Sequence, residues 1–576
     1  MLILTEDVDD SDSVIRQKIQ RLNANAEKAL DLYAPQRGFS LFLETPPEKS
    51  SDMSEEYRHV FALACAWGSV GTRYYQDPEI LRILLFSLEW MYEHRYGEKE
   101  REGNGWRSPR LFNWYDWKIA SPEMLIQTLI ILGEKVSVEE RRKYLSLFDS
   151  LVPRPTDYAS NKVHFGKLII GSGLLQENEE RIRTAISGIE DTHLYVDGWK
   201  NDGQGFYTDG SYIFHTRHPM NGSYARGHFA ALISICRIFR GTKFADHALA
   251  ERLCDWANNT FLPFISKTVM ARSVICRHPN AGRGAGLATL SNICELAAFA
   301  EESRAAGLFL HVKRNLQANP EMKNPEILTG FLSELSWEAC NALREVLDSD
   351  TAAAAYNLNK VFHNEDRVVH HFGGVSYCLA MSSSRIYNYE SINHENMDGW
   401  YLGDGMLTAY GEDFYAYSNG WPQSNPYRRP GTTADTRERA YISISQANEY
   451  LSSQDFVGGV SDGICGAAAM RLESYHGDGE HKSKRFFSPD GAYGGPPEKR
   501  DCSLLARKAW FFFDKIAICL GSDISAHDDA NVLTVIDSRR TASPLMLPGK
   551  GEFPLTDVDR ALPENTDCLF MEGFGG

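Results

Sequence analysis

The stretch SPEMLIQTLIILGEKVSVEERRKYLSLF, residues 121–148, reads as two helices with a short connection between them. Ser121 stands where a cap belongs, Pro122 and Glu123 suit a first turn, and the apolar run 124–132 stops at Gly133. Ser137 and Glu140 then have the spacing of a capping box for the second helix. So short a link between helices implies an antiparallel hairpin. The alternation recurs in YARGHFAALISICRIFRG (224–241) and AGLATLSNICELAAFAEES (285–303), so the chain up to about residue 360 predicts a toroid or solenoid of helical hairpins.

Beyond SWEACNALREVLDSDTAAAAYNLNKVF (336–362) the pattern changes. Segments such as GGVSYCLAMSSSRIYNYES (373–391) and KAWFFFDKIAICLG (508–521) are short, aromatic and β-branched, and broken by Gly, Asp and Asn. Asp514 and Lys515 sit between two apolar runs as a hairpin turn would. Two domains are expected, a helical one over 1–360 and an antiparallel β-sandwich over 365–576, since 576 residues exceed what one core usually serves.

With 43% hydrophobic, 24% charged and 11% aromatic residues, the chain has the composition of an ordered globular protein. A net charge of -17 opposes nucleic acid and anionic membrane surfaces as partners. The 11 cysteines show no CxxC pair or zinc spacing and read as small buried apolar residues. No apolar run is long enough for a membrane span. The opening MLILTEDVDDSDSV turns acidic after four residues and has no basic segment, so no secretion signal is read in it.

Several stretches are dense in chemistry. Trp114, Tyr115 and Trp117, with Trp106 just before them, lie beside Asn113 and Asp116 on the approach to the first helix above, and flat aromatic faces stack on sugar rings. DGSYIFHTRHPMNGSY (209–224) brings His215 and Tyr224 within nine residues, with Gly222 permitting a turn between them. Imidazole titrates near neutrality and a phenol keeps its proton to about pH 10, so the pair can divide base and acid roles. His215 and His218 at i, i+3 also suit a metal, but no HExxH arrangement accompanies them. Asp202 and Asp209 suit the carboxylate pair of a glycosidase. Arg272, Arg277 and Arg283 share a loop between helices, and guanidiniums bind carboxylates and sulfates bidentately.

Taken in order, NWYDWKIASPEMLIQTLIIL (113–132), DGSYIFHTRHPMNGSY, NHENMDGWYLGDGMLTAY (393–410) and WPQSNPYRRPGTT (421–433) resemble the motifs of polysaccharide lyase family 8, the hyaluronate, chondroitin and xanthan lyases. That resemblance implies an N-terminal incomplete α/α toroid followed by antiparallel β sheets. It places His215 and Tyr224 at the family's catalytic His and Tyr, and Asn161 at the Asn that pairs with the substrate carboxylate, followed here by Lys162 rather than Arg. Arg272 is the candidate catalytic arginine, although RSVICR sets Arg272 and Arg277 five apart where the family has four, and either fits the role. Glu395 in NHEN resembles the supporting glutamate, with His394 where Gly is more usual, and Asn396 beside it is expected to bind substrate. Trp114, Tyr115 and Trp117 resemble the aromatic patch that positions the chain.

The implied reaction removes the C5 proton of a uronic acid and expels the C4 oxygen, leaving a 4,5-unsaturated sugar. Either His215 is the base and Tyr224 the acid, or Tyr224, its pKa lowered by Arg272, does both while His215 neutralises charge. Neither route needs a metal or organic cofactor. The expected partner is an acidic polysaccharide, met by a basic lining of Arg217, Arg226, Arg272, Arg277 and Arg283, and the protein is expected to be a monomer, extracellular or periplasmic by resemblance. A glycoside hydrolase using Asp202 and Asp209 and a non-catalytic carbohydrate-binding protein are the alternatives. The family usually continues through a further small β domain, so ending at CLFMEGFGG suggests a truncated or short member.

Overall fold

Helices alternate between an inner and an outer row before residue 350. The structure, a computed structural model, describes residues 9, 11–97, 113–197, 203–278, 281–392, 394–418, 420, 424–435, 437, 439, 451–475, 502–526, 530–541, 544–547, 551–553 and 570–571. Thirteen α-helices lie among them: α1 Ser13–Leu32, α2 Ser50–Gly68, α3 Pro78–His94, α4 Ser121–Leu132, α5 Val138–Leu151, α6 Ala159–Leu175, α7 Glu179–Ile189, α8 Tyr224–Phe239, α9 His247–Trp256, α10 Gly282–Ala297, α11 Glu302–Ala318, α12 Pro325–Ser333 and α13 Trp337–Asp348. Helices α2, α4, α6, α8 and α10 pack in succession, and α3, α5, α7, α9 and α11 each cover the inner helix before them. Helix α12 returns to α1, where Arg21 pairs with Glu334 and Arg344 reaches Asp12 at 2.7 Å. Each hairpin buries its apolar stripe only against the next, which is why the array curves back on itself.

The hairpin at 121–148 forms, with one change at its start. Helix α4 runs straight in from a wider π turn, Asp116–Ala120, and Ser121 caps nothing. Its hydroxyl instead meets Ser54 of α2 at 3.0 Å in the core, while Asp116 accepts from Ser50 and Ser54 at 2.6 and 3.0 Å. The expected capping box at α5 is present, with Glu140 accepting from the Ser137 backbone at 2.8 Å.

A small three-stranded sheet and a hairpin interrupt the helical half, and the apolar periodicity did not announce them. One sheet is β1 Gly205–Phe206, β2 Tyr212–Phe214 and β3 His218–Pro219; the other pairs β4 Ile265–Ser266 with β5 Val269–Met270. From Leu358 the chain is antiparallel β. Strands β6 Leu358–Phe362, β7 Arg367–Phe372, β8 Val375–Ala380 and β9 Met406–Tyr410 form one sheet; β11 Val457–Ser461, β12 Gly466–Tyr475, β13 Cys502–Phe513 and β14 Ile516–Ala526 form another, and β10 Thr433–Asp435 pairs with β15 Val532–Thr534. Val361, Val368, Leu379 and Met381 of the first region face Met470, Leu472, Trp510 and Phe512 of the second, so the two sheets share one apolar layer. Asp514 and Lys515 make the two-residue turn between β13 and β14, with Asp514 at φ +49°.

Candidate active site

The inner helices α4, α6, α8 and α10 are separated by outer helices of opposite direction, so their N-termini share one end of the array. That end carries every residue of interest, and four helix N-termini there favour negative charge. Tyr224 is the first residue of α8, and Asn161 lies in the first turn of α6, donating to Asp157 at 3.3 Å. Burial raises the Asp157 carboxyl above its ordinary range. Strand β2 delivers His215 at φ +46°, followed by Thr216 at φ +74°.

Gly222 lies in the turn before α8, as expected, and it also permits close approach: a Cβ there would meet Met270 at 2.6 Å and Ile275 at 2.7 Å, and its N–H donates to Val274 at 3.0 Å. This contact brings the arginine loop against the start of α8. The ring centroids of His215 and Tyr224 are then 4.7 Å apart.

The β half closes the site with the loop between β8 and β9. Glu390, whose side chain is wholly buried, accepts from His215 Nδ1 at 2.5 Å through one oxygen and from Arg277 Nη1 at 3.0 Å through the other. Arg277 donates Nη2 to the Tyr224 hydroxyl at 3.1 Å and Nε to Glu395 at 2.6 Å. One guanidinium thus joins both candidate proton-transfer groups to two carboxylates. Burial alone would raise Glu390, but His215, His218 and Arg277 hold it well below the usual carboxylate range. The same ion pairing, working against burial, pushes Arg277 up. Because an ionised carboxylate only accepts, His215 Nδ1 must carry a proton, which leaves Nε2 as the basic nitrogen of the neutral ring. Tyr224 is raised by burial, which outweighs its contact with Arg277.

This geometry sorts the expected residues. Arg277, not Arg272, touches Tyr224; Arg272 donates to the Cys276 carbonyl at 2.8 Å and to Asn396 at 3.3 Å, so it cannot lower the phenol as expected. Glu395 does reach Arg277, and Asn396 donates to the Glu390 carbonyl at 2.7 Å, holding the loop. Trp114 and Tyr115 are exposed, 38% and 47%, with ring edges together. Trp117 is corrected: it is buried, stacked on Tyr96 at 5.7 Å, and belongs to the core. Arg283 is spent on Glu321 at 2.6 Å, and Arg217 ties β2–β3 to the Ser384 carbonyl, so the basic lining narrows to Arg272 and Arg277, with Arg226 half-buried on α8.

His218 stacks on Tyr387 at 4.8 Å, and it shares with His215 the neighbourhood of Glu390. Asp209 accepts from Ser211 and from the Asn364 backbone as a turn former. Asp202 and Trp106 lie outside the described residues. Glu390 is the residue of this candidate site that sequence reading missed. The signal was available: a lone carboxylate in the apolar, hydroxyl-rich stretch IYNYESI, 386–392, is headed for burial and so needs a cation.

Among the described residues thirteen non-glycines have positive φ, and His215, Thr216, Cys276, His394 and Asn396 belong to the loops that meet here. Such backbone costs on the order of 1–3 kcal/mol each and concentrates where surroundings over-determine it.

The family model described as polysaccharide lyase family 8, N terminal alpha-helical domain, matches residues 1–314, and that family's super-sandwich domain matches 357–575. A hyaluronate lyase of Enterococcus faecalis is 27% identical over 570 residues, 93% of this chain and 53% of the relative, and a xanthan lyase of a Bacillus species is 26% identical over 499 residues, 85% and 49%. The chain thus spans about half the length of these relatives. Among solved structures, a Paenibacillus xanthan lyase superposes with a TM-score of 0.79 at 24% identity over 95% of this chain and 49% of its own. A Streptomyces coelicolor chondroitin AC lyase bound to chondroitin sulphate gives 0.76 at 22%, covering 93% and 70%.

Proposed function

Because the chain belongs to polysaccharide lyase family 8, we propose that it cuts an acidic, uronic-acid-containing polysaccharide by β-elimination at the site where Tyr224, Arg277, Glu390 and His215 meet. The carrying observation is the position of Glu390. By holding His215 Nδ1–H it presents Nε2 as base for the C5 proton, and by holding Arg277 it fixes the partner of Tyr224.

The C5 proton is a weak acid because an ionised carboxylate is a poor electron sink, so charge on the substrate carboxylate must be offset as the proton leaves. Asn161 and the N-termini of α6 and α8 supply donors and partial positive charge toward that group. Tyr224, held protonated by burial, is suited to give its proton to the departing C4 oxygen. Arg277 then steadies the phenolate that forms. Trp114 and Tyr115 offer exposed faces on which sugar rings can stack.

A second reading has a specific observation in its favour: the Arg277 N–H on the Tyr224 oxygen makes a phenolate cheaper, which suits Tyr224 as both base and acid. The pH profile of kcat separates the two. A rising limb in the imidazole range that disappears in His215→Gln supports His215 as base, whereas a limb near the phenol range retained in that variant supports Tyr224. The same family reading suits an extracellular or periplasmic protein, and no helix among the described residues is long and apolar enough to cross a membrane.

The reading is tested by incubating the protein with hyaluronan, chondroitin and xanthan and following the ultraviolet absorbance of unsaturated products. Tyr224→Phe is expected to lower kcat by about 10²- to 10⁴-fold with its folding intact. Products without that absorbance would point to hydrolysis and overturn it.

A further inference from the structure

Strand β2 and helix α8 each deliver one of the two candidate proton-transfer groups, and a buried hydrogen bond ties these elements together behind them. The Tyr212 hydroxyl meets His228 Nδ1 at 3.2 Å, with both residues 0% exposed. Tyr212 precedes His215 by three residues, and His228 follows Tyr224 by four, about one turn along the helix. The bond therefore closes a ring of chain from 212 to 228, whose other cross-contact is the His215–Tyr224 pair with centroids 4.7 Å apart.

Burial pushes His228 down to about 3, so its imidazole is neutral and one ring nitrogen is an acceptor. The Ser160 N–H, in the first turn of α6, faces the Tyr212 oxygen, which leaves the hydroxyl proton for Nδ1. One phenol thus holds β2 both to α8 and to the start of α6, beside Asn161. Its backbone is held as well: the N–H donates to the buried Glu365 carboxyl at 3.2 Å, and the carbonyl accepts from the Met220 N–H at 2.9 Å. Phe206, stacked on Trp256 at 3.6 Å, packs on both rings, 4.6 Å from Tyr212 and 5.1 Å from His228. Just beyond, His215 and Thr216 take φ +46° and +74°, a backbone that persists only where its neighbours hold it.

We propose, resting on the elimination reading above, that Tyr212 and His228 are positioning residues: their hydrogen bond sets the register of β2 on α8, and with it the spacing of His215 and Tyr224 at the sugar. Fully buried, neither side chain can touch substrate. Loss of the bond leaves the cleft surface in place and lets the two reacting groups drift apart. Proton transfer is steep in such displacement, about 10²-fold for roughly 1 Å, whereas polymer binding is spread over the cleft, so the effect belongs in kcat and not in KM.

The test uses the full chain on whichever of hyaluronan, chondroitin and xanthan releases unsaturated product, with thermal unfolding followed alongside. Tyr212→Phe deletes the hydroxyl alone and is expected to lower kcat about 10- to 100-fold with KM within about twofold of the parent. It also leaves the His228 ring buried without that partner, so the melting temperature falls. Adding His228→Leu removes the stranded polar ring: the melting temperature is expected to recover while kcat stays low, whereas a purely structural role would restore both. Unchanged kcat in Tyr212→Phe, or kcat that returns with the melting temperature in the double variant, overturns the proposal. A second readout needs neither turnover nor the double variant. In NMR spectra of the histidine-labelled chain, the imidazole signal that His215→Gln removes is expected to shift in Tyr212→Phe, and a signal that stays in place overturns the proposal too. A parent chain that yields no unsaturated product sinks the lyase reading instead, and the His215 signal then decides whether Tyr212 positions that ring.

Discussion

Glu390 has two oxygens and uses each for a different partner. Replacing it by glutamine keeps the shape and removes the charge, so the buried Arg277 would keep Glu395 as its remaining carboxylate, and His215 would face an amide. Glu390→Gln is expected to lower kcat about a hundredfold or more, because Arg277 loses a carboxylate that holds it against Tyr224 and His215 loses its acceptor. A full-length variant with unchanged kcat would show that Glu390 only packs. Arg277 and Arg272 are the matching contrast in cations. Five residues apart on one loop, they look interchangeable in sequence, yet only Arg277 reaches Tyr224, because Cys276 between them takes φ +52° and sends the two side chains to different sites.

At the level of elements, the loop before α4 separates two tryptophans that are three residues apart. The π turn at Asp116–Ala120 points Trp117 inward to Tyr96 and leaves Trp114 at the surface. Trp117→Ala should cost about 3–5 kcal/mol of stability, seen as a lower melting temperature, as expected for a large side chain removed from a packed core. Trp114→Ala should leave the melting temperature nearly unchanged and raise KM for polymer. The loop between β8 and β9 makes the opposite kind of prediction. His394 is exposed and held at φ +63°, a conformation natural to glycine, which is the residue the family resemblance led one to expect there. His394→Gly should therefore be neutral or stabilising by up to about 1 kcal/mol, and a clear loss in denaturant unfolding would mean the imidazole makes a contact of its own.

Across the whole molecule, the helical and β halves are joined through the active site itself. Arg367 donates to the Ser273 carbonyl at 3.1 Å, the Arg272 backbone to the Tyr410 hydroxyl at 3.1 Å, and Glu390 binds two residues of the helical half. Stability should follow the ionisation of Glu390. Its folded pKa is depressed, so its contribution is present above the unfolded carboxylate range and is lost as pH falls through the lower, folded value. The gap in unfolding free energy between the parent and Glu390→Gln should accordingly be level from neutral pH to the carboxylate range and collapse in stronger acid. A gap that widened on acidification would contradict this linkage.

Local pattern was enough to determine much of this protein. Apolar periodicity with caps such as Ser137–Glu140 marked the helical hairpins, β-branched and aromatic runs marked the sheets, and the turn at Asp514–Lys515 was legible because strand pairing there is with the next residues in the chain. The juxtaposition of His215 and Tyr224 followed from short spacing and motif order. What tertiary structure alone decided was long-range: the union of Glu390 with His215 across 175 residues, the choice of Arg277 over Arg272, and the burial of Trp117. A side chain's direction and its desolvation are set by whatever packs against it, and for these residues the packing partners come from elements far away in the chain, where no local pattern records them.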